Sequence, residues 1–121
     1  MEEKVLIVDD AMFMRKVIRK NLEECGFVNI MEAADGEEAL RIYEKELPDL
    51  VLLDITMPGM SGLEVLEQIR MEDDTSKVIM CSAVGQESMI QRAVTAGAEE
   101  FIVKPFRPEE FRKIVLSVVE R

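Results

Sequence analysis

Apolar residues are distributed along the chain in two alternating patterns. Short, almost uninterrupted apolar runs are typical of strands buried on both faces of a sheet. They occur at Lys4–Val8, Asn29–Ala33, Leu50–Leu53, Lys77–Ser82 and Phe101–Val103. After each run, apolar residues return at every third or fourth position, which is typical of an amphipathic helix. Five strand units therefore alternate with five helical units, and this predicts an α/β domain whose parallel sheet is covered by helices on both faces.

Start and stop signals bound the predicted helices. Asp35 and Ser61 each stand three residues before a Glu, which is the arrangement of a helix-capping box. Gly26 and Pro48 end the first two helices, Pro108 suits the first turn of the last one, and the fourth runs from about Gln86 to Ala96. The apolar positions expected to face the sheet are Phe13, Met14, Val17, Ile18, Leu22, Cys25, Ala39, Leu40, Tyr43, Leu47, Leu66, Ile69, Met89, Ile90, Ala93, Val94, Phe111, Ile114, Val115, Val118 and Val119.

The composition indicates the class of protein and the cellular compartment to expect. A chain of 121 residues, 48% hydrophobic and 33% charged, is ordinary for one globular domain. No stretch approaches the roughly 18 consecutive apolar residues of a membrane span, and we expect no signal peptide before the first strand. Cys25 and Cys81 lack the spacing of metal ligands, so we expect both to be buried free thiols in a reducing compartment, the cytoplasm.

Charge and residue usage exclude several classes of function. The net charge of −10 disfavours nucleic-acid binding, which needs a basic surface to neutralise phosphates. The chain contains no histidine. This excludes histidine acid–base catalysis, serine-type triads and histidine-ligated metals. The chemistry must therefore come from carboxylates, hydroxyls and lysine.

Polar side chains follow four of the predicted strands, at Asp9, Asp10, Asp54, Ser82 and Lys104. The carboxyl ends of parallel strands share one edge of a sheet, so these groups can converge there. Individually, each Asp could merely end a strand or cap a loop. Three carboxylates together repel one another unless a cation lies among them. Oxygen donors without His or Cys indicate Mg²⁺ or a similar ion.

Four motifs in this order resemble those of the receiver domains of two-component response regulators: Asp9-Asp10, Asp54 with the loop 56–62, Cys81-Ser82-Ala83 and Lys104-Pro105-Phe106. The resemblance covers essentially the whole chain and is strongest to the single-domain chemotaxis members of that family. It implies one receiver domain over residues 1–121, with no output domain of its own. It also implies a doubly wound, flavodoxin-like sheet with strand order 2-1-3-4-5.

By this resemblance, Asp54 is the phosphoacceptor, which takes a phosphoryl group from a phosphohistidine on a partner kinase. Asp10, Asp54 and the backbone carbonyl of Thr56 would bind Mg²⁺ directly, and Asp9 would act partly through water. The protein would catalyse only its own phosphorylation and dephosphorylation, and so would not be an enzyme with a separate substrate.

The resemblance also implies how phosphorylation is read out. Ser82 matches the switch hydroxyl, Lys104 the lysine that pairs with the phosphoryl group, and Phe101 the aromatic rotamer switch. The Lys104-Pro105 peptide bond is expected to be cis. Two residues depart from the chemotaxis pattern: Phe101 replaces the usual Tyr, and Ser82 replaces the commoner Thr. Val84 cannot orient a water molecule, so we expect the phosphorylated lifetime to depend little on its side chain.

The leading interpretation is a monomer that signals by phosphorylation-dependent protein binding. The implied partners are a histidine kinase, an output protein such as the flagellar motor switch and a phosphatase, with no nucleic acid and no membrane. An alternative is a phosphorelay intermediate that passes its phosphoryl group to another histidine protein. A haloacid-dehalogenase-type phosphatase would need a second Asp where Thr56 stands, and a nucleotide binder would need a Gly-rich loop after the first strand.

Overall fold

Five parallel strands and five helices alternate along the chain in a computed structural model that describes all 121 residues. The elements are β1 (Lys4–Val8), α1 (Met12–Glu24), β2 (Asn29–Ala33), α2 (Gly36–Glu46), β3 (Leu50–Asp54), α3 (Gly62–Glu72), β4 (Lys77–Ala83), α4 (Glu87–Thr95), β5 (Glu100–Lys104) and α5 (Pro108–Val119). The strands pair in parallel in the order β2-β1-β3-β4-β5. The predicted fold class and strand order are both confirmed.

The sheet separates two hydrophobic cores. Successive side chains of a strand point to opposite faces, so Leu6 and Val8 of β1 enter one core while Val5 and Ile7 enter the other. The first core, against α2, α3 and α4, we name the α2–α4 core. The second, against α1 and α5, we name the α1–α5 core. Each fully buried aliphatic side chain contributes roughly 1.5–3 kcal/mol, so these two cores account for most of the stabilisation of the sheet.

The central strand β3 carries the first candidate functional residue. All five of its residues are buried, including Asp54 at its end. Its neighbours are β1 and β4, with Leu53 opposite Val8 and Asp54 opposite Cys81. The strand is therefore held on both sides, and its terminal carboxylate has little freedom to move away from the edge of the sheet.

The connection from β3 to α3 is fixed at its far end by a helix cap. Ser61 Oγ accepts a hydrogen bond from the Glu64 backbone N–H, and the Glu64 side chain accepts one from the Ser61 backbone N–H, which is the predicted capping box. The Gly62 N–H then donates to the Ile55 carbonyl at 2.8 Å. The start of α3 is thus held directly against the end of β3.

Several sequence predictions about burial are wrong. Phe13 is 76% exposed, Leu47 65% and Val94 48%, and Cys25 is only half-buried. Phe13 lies in the first turn of α1, just after the end of β1, and Leu47 lies one residue beyond α2 with a left-handed backbone. Helical spacing cannot show where a helix extends past the sheet that it covers.

Smaller details of the chain also follow from the structure. The Lys104-Pro105 peptide bond is cis, as the resemblance implies. Strand β4 extends to Ala83, and β5 begins at Glu100 and includes Lys104, so both are slightly longer than predicted. None of the five helices combines the length and the hydrophobicity that a membrane span requires.

The contact between Gly62 and the end of β3 yields a stability prediction. A Cβ atom at position 62 would lie 1.9 Å from the Asp54 carbonyl oxygen, so the start of α3 would have to move away from β3. We expect Gly62→Ala to lower the free energy of unfolding by about 3 kcal/mol, at the upper end of overpacking effects. Ser61→Ala, which removes only the cap, should cost about 1 kcal/mol. Urea unfolding of the two variants measures the difference, and equal losses would contradict the steric argument.

Candidate functional site

Three carboxylates lie together at the carboxyl edge of the sheet. Asp9 and Asp10 directly follow β1, and Asp54 is the last residue of the adjacent strand β3. One carboxylate oxygen from each lies within 4.8 Å of the others. Asp9 and Asp54 are buried, whereas Asp10 is exposed. We call these three residues the acidic cluster.

The turn after β1 explains how two sequential Asp residues reach the same place. Neighbours on a strand would point to opposite faces, but here the chain turns immediately after Val8. The Asp9 side chain accepts a hydrogen bond from the Ala11 N–H at 2.9 Å, and the Asp9 carbonyl accepts one from the Arg15 guanidinium at 2.7 Å. The turn is therefore held from both sides of Asp9.

Lys104 joins the acidic cluster from the far side of β4. It ends β5, opposite Ala83, and its side chain extends across the sheet edge. Its Nζ atom lies 3.3 Å from Asp54 Oδ1 and 3.4 Å from Asp9 Oδ2. One ammonium group thus contacts both buried carboxylates.

These contacts perturb the ionisation of the site. Burial raises the pKa of Asp54 above its ordinary value, and the charge of Asp9 adds to this; the positive charge of Lys104 opposes the rise without cancelling it. For Lys104, burial alone would lower the pKa, but the charges of Asp54 and Asp9 together raise it above its ordinary value. Lys104 is therefore held in its charged form beside Asp54, whose carboxyl is costly to ionise.

Ser82 and Phe101 occupy the two strands beyond Asp54. Ser82 Oγ is completely buried and has no hydrogen-bond partner. A buried hydroxyl without a partner is costly, so Ser82 has an unused hydrogen-bond donor at this edge of the sheet, and its role as a switch stays a prediction. Phe101 is half-buried against the α2–α4 core and lies opposite Met80, two residues before Ser82 on β4.

The donor set of the acidic cluster fits Mg²⁺. Its oxygen donors are all carboxylates, and the protein has no histidine that would favour a transition metal. A dication would also relieve the repulsion between carboxylates that Lys104 only partly offsets. Asp9, Asp10 and Asp54 are the side chains that would hold it, and the role of the Thr56 carbonyl stays a prediction.

Two sets of hydrogen bonds near the site were not predicted from the sequence. Glu32 on β2 accepts from the guanidinium groups of Arg15 and Arg19, at 3.1 and 2.6 Å, and so braces the arginine that holds the Asp9 carbonyl. Gln86 bridges Ala83 and Thr56. The two contacts of Glu32 and the contact between Gln86 and Thr56 join residues that are 13 to 30 positions apart in the sequence. Only Gln86 and Ala83 are close in sequence. Neither set of hydrogen bonds can be predicted from a local sequence motif.

The same chain is similar to known proteins over its whole length. The sequence model of the family described as "Response regulator receiver domain" matches residues 5–116. The chemotaxis protein CheY of Listeria monocytogenes is 49% identical over 118 residues, which are 98% of this chain and 96% of that protein. The matched range includes every residue of the acidic cluster together with Ser82 and Lys104.

Solved structures show the same similarity in three dimensions. The chemotaxis response regulator CheY4 of Vibrio cholerae matches with a TM-score of 0.89 at 32% identity, over 98% of this chain and 99% of that one. The receiver domain of NtrX from Brucella abortus matches with a TM-score of 0.92 at 29% identity, over 97% and 98%. Both comparisons cover nearly all of this chain and nearly all of the matched chain.

The raised pKa of Asp54 yields a prediction about stability and pH. A raised carboxyl pKa means that the folded protein holds the proton more tightly than the unfolded chain does, so ionisation at neutral pH costs stability. We expect Asp54→Asn to raise the free energy of unfolding at neutral pH in metal-free buffer. The gain should shrink as the pH falls through the raised pKa of Asp54 in the folded protein, and it should be largely lost below pH 3.8, where the wild-type carboxyl is mostly protonated in both states. Urea unfolding across this pH range measures the effect.

Magnesium should stabilise the wild type more than it stabilises Asp54→Asn. An ion that binds only the folded state, at a free concentration about ten times its Kd, stabilises that state by about 1.4 kcal/mol. The wild type should gain this stabilisation, whereas Asp54→Asn, which lacks one of the three carboxylates, should gain less. Asp74→Asn, at an exposed carboxylate outside the cluster, is the matched control and should change little. A variant at position 54 that is less stable than the wild type without metal would contradict the argument from repulsion and burial.

Proposed function

This chain belongs to the family of response regulator receiver domains, and we propose that Asp54 accepts a phosphoryl group from a histidine kinase and thereby switches binding to an output protein. The observation that carries the proposal is the position of Asp54. It is buried at the end of the central strand, lies beside two more carboxylates and contacts an ammonium group. Phosphoryl transfer requires mainly this kind of positioning and charge neutralisation.

The proposed reaction is an in-line displacement at phosphorus. A carboxylate oxygen of Asp54 forms a new P–O bond while the P–N bond of the donor phosphohistidine breaks. The leaving imidazole keeps the electron pair of that bond and takes up a proton from solvent. When bound among Asp9, Asp10 and Asp54, Mg²⁺ supplies positive charge that offsets these carboxylates and the oxygens of the transferred group.

Two side chains, those of Lys104 and Ser82, would hold the transferred group in this proposal. Lys104 already contacts Asp54 and can pair with a phosphoryl oxygen instead. The Ser82 hydroxyl has a free donor and is carried on the strand next to β3. Phosphorylation adds about −1.5 to −2 charges and three acceptor oxygens at this point. These two residues therefore carry the local change into β4 and β5.

The surface formed by α4, β5 and α5 is our proposed output face, because β4 and β5 connect it to Ser82 and Lys104. Phe101 lies on this path, half-buried and able to respond to a shift of its neighbours. Because the relatives at 45–49% identity include several named as chemotaxis proteins, we propose the flagellar motor switch as the output partner. A cytoplasmic location and an output controlled by kinase and phosphatase follow from this role.

The proposal is tested by incubation with Mg²⁺ and acetyl phosphate followed by intact-protein mass measurement. The wild type should gain one phosphoryl group, and Asp54→Asn should gain none. Ser82→Ala loses one hydrogen bond to the transferred group, so we expect its phosphorylation rate to fall about tenfold. Ser88→Ala, at an exposed serine of α4, is the matched control and should behave as the wild type.

Several outcomes would count against the proposal. A phosphoryl group that is still acquired by Asp54→Asn would rule out Asp54 as the acceptor. Loss of phosphorylation in Ser88→Ala would show that the effect of Ser82→Ala is not specific. Transfer from the phosphorylated protein to the histidine of another protein would replace the motor-switch output by a phosphorelay role.

A further inference from the structure

The side-chain amide of Gln86 links two loops beside the site. Its Oε1 accepts a hydrogen bond from the Ala83 backbone N–H at 2.6 Å, and its Nε2 donates one to Thr56 Oγ1 at 2.5 Å. Gln86 lies just before α4, whereas Thr56 lies in the connection between β3 and α3. Both polar atoms of the half-buried Gln86 amide therefore form hydrogen bonds. These two bonds link the end of β4, which carries Ser82, to the loop that follows Asp54.

Both partners of Gln86 are next to the reacting groups. Thr56 is two residues after Asp54, and its backbone contributes a hydrogen bond that lowers the pKa of the Asp54 carboxyl. Ala83 directly follows Ser82 and lies opposite Lys104 on β5. Ala83 is thus adjacent to Ser82 in the chain and pairs with the lysine of the site across the sheet, and its N–H donates to Gln86.

A phosphoryl group on Asp54 would compete for that N–H. It brings three strong acceptor oxygens, and backbone N–H groups are good donors to such anions. A single N–H cannot make full hydrogen bonds to the Gln86 amide oxygen and to a phosphoryl oxygen at the same time. A shift of the end of β4 toward Asp54 would bring the Ser82 hydroxyl closer to the group, and the bridge from Gln86 to Thr56 would restrain such a shift.

We propose that Gln86 is a positioning residue that acts as a latch: it holds the β4–α4 connection to Thr56 while Asp54 is unmodified and is released when Asp54 carries a phosphoryl group. The proposal rests on the proposed function, since it concerns the regulation of the same site. The latch stabilises the resting arrangement, in which Ser82 Oγ has no partner. Removing it raises the fraction of molecules ready to hold the phosphoryl group, and apparent affinity rises in proportion to that fraction.

Beryllofluoride, a non-covalent mimic of the phosphoryl group, measures this effect at equilibrium in the presence of Mg²⁺. We expect Gln86→Ala to bind it about fivefold more tightly than the wild type, as loss of two neutral hydrogen bonds in the resting state allows. Thr56→Val keeps the shape of the side chain but removes the hydroxyl, so it should give part of the same gain. The double variant should gain no more than Gln86→Ala alone, because both changes open the same latch.

Val84→Ala is the matched control for position in the loop. Val84 is 78% exposed in the same connection, so this variant should bind beryllofluoride as the wild type does. Amide hydrogen exchange without any phosphodonor supplies a second readout. Exchange of the Ala83 N–H should accelerate in Gln86→Ala and stay unchanged in Val84→Ala.

The outcomes separate the latch from the function on which it rests. Equal or weaker beryllofluoride binding by Gln86→Ala, with normal binding by the wild type, would overturn the latch and leave the proposed function intact. Additive gains in the double variant would also overturn it. A wild type that neither binds beryllofluoride nor is phosphorylated would overturn the proposed function and the latch with it.

Discussion

The arrangement of the site depends on one electrostatic constraint, the repulsion between carboxylates held at the edge of the sheet. Three carboxylates, of which Asp9 and Asp54 are buried and Asp10 is exposed, and one ammonium group leave a formal charge of −2 at this edge of the sheet. The positive charge of Lys104 reduces the free-energy cost of ionising Asp54 but does not remove it, since the pKa of Asp54 is still raised. A dication balances this charge. In the proposed function, replacing the Asp54 carboxylate by a more highly charged acyl phosphate would disturb this balance again, and the site would respond to the modification for that reason.

The fold maintains this costly arrangement through packing elsewhere. Strand β3 is buried along its whole length, and the first turn of α3 lies directly against its end, so Asp54 cannot withdraw into solvent. On the other side, Glu32 and Arg15 hold the turn after β1. The local costs, an unpaired Ser82 hydroxyl and closely spaced carboxylates, are tolerated because two large cores supply the stability. Sites that must change state are commonly built in this way.

Much of this organisation could be predicted from the sequence, because it follows from local periodicity. Apolar runs located the strands, Ser61 located the start of α3, and the polar residues at the strand ends located the acidic cluster. The strand order came from family resemblance rather than from pattern. Exposed Phe13 and the Gln86 bridge were not predictable, since they depend on where helix ends and loops lie relative to distant parts of the chain. Side-chain contacts between loops leave no periodic signal.

The division of the molecule into two cores has an evolutionary consequence. Alternation along β4 places Ser82 on the same side of the sheet as Met80, and Phe101 packs on that side too, against α2–α4, whereas α1 and α5 pack on the other. Substitutions in α1 can be repacked within the α1–α5 core without changing the side chains around Ser82 and Phe101. After gene duplication, the surface of α1 could therefore diverge between two copies while the proposed output face of α4, β5 and α5 stays the same, so that contacts on the two surfaces could evolve separately.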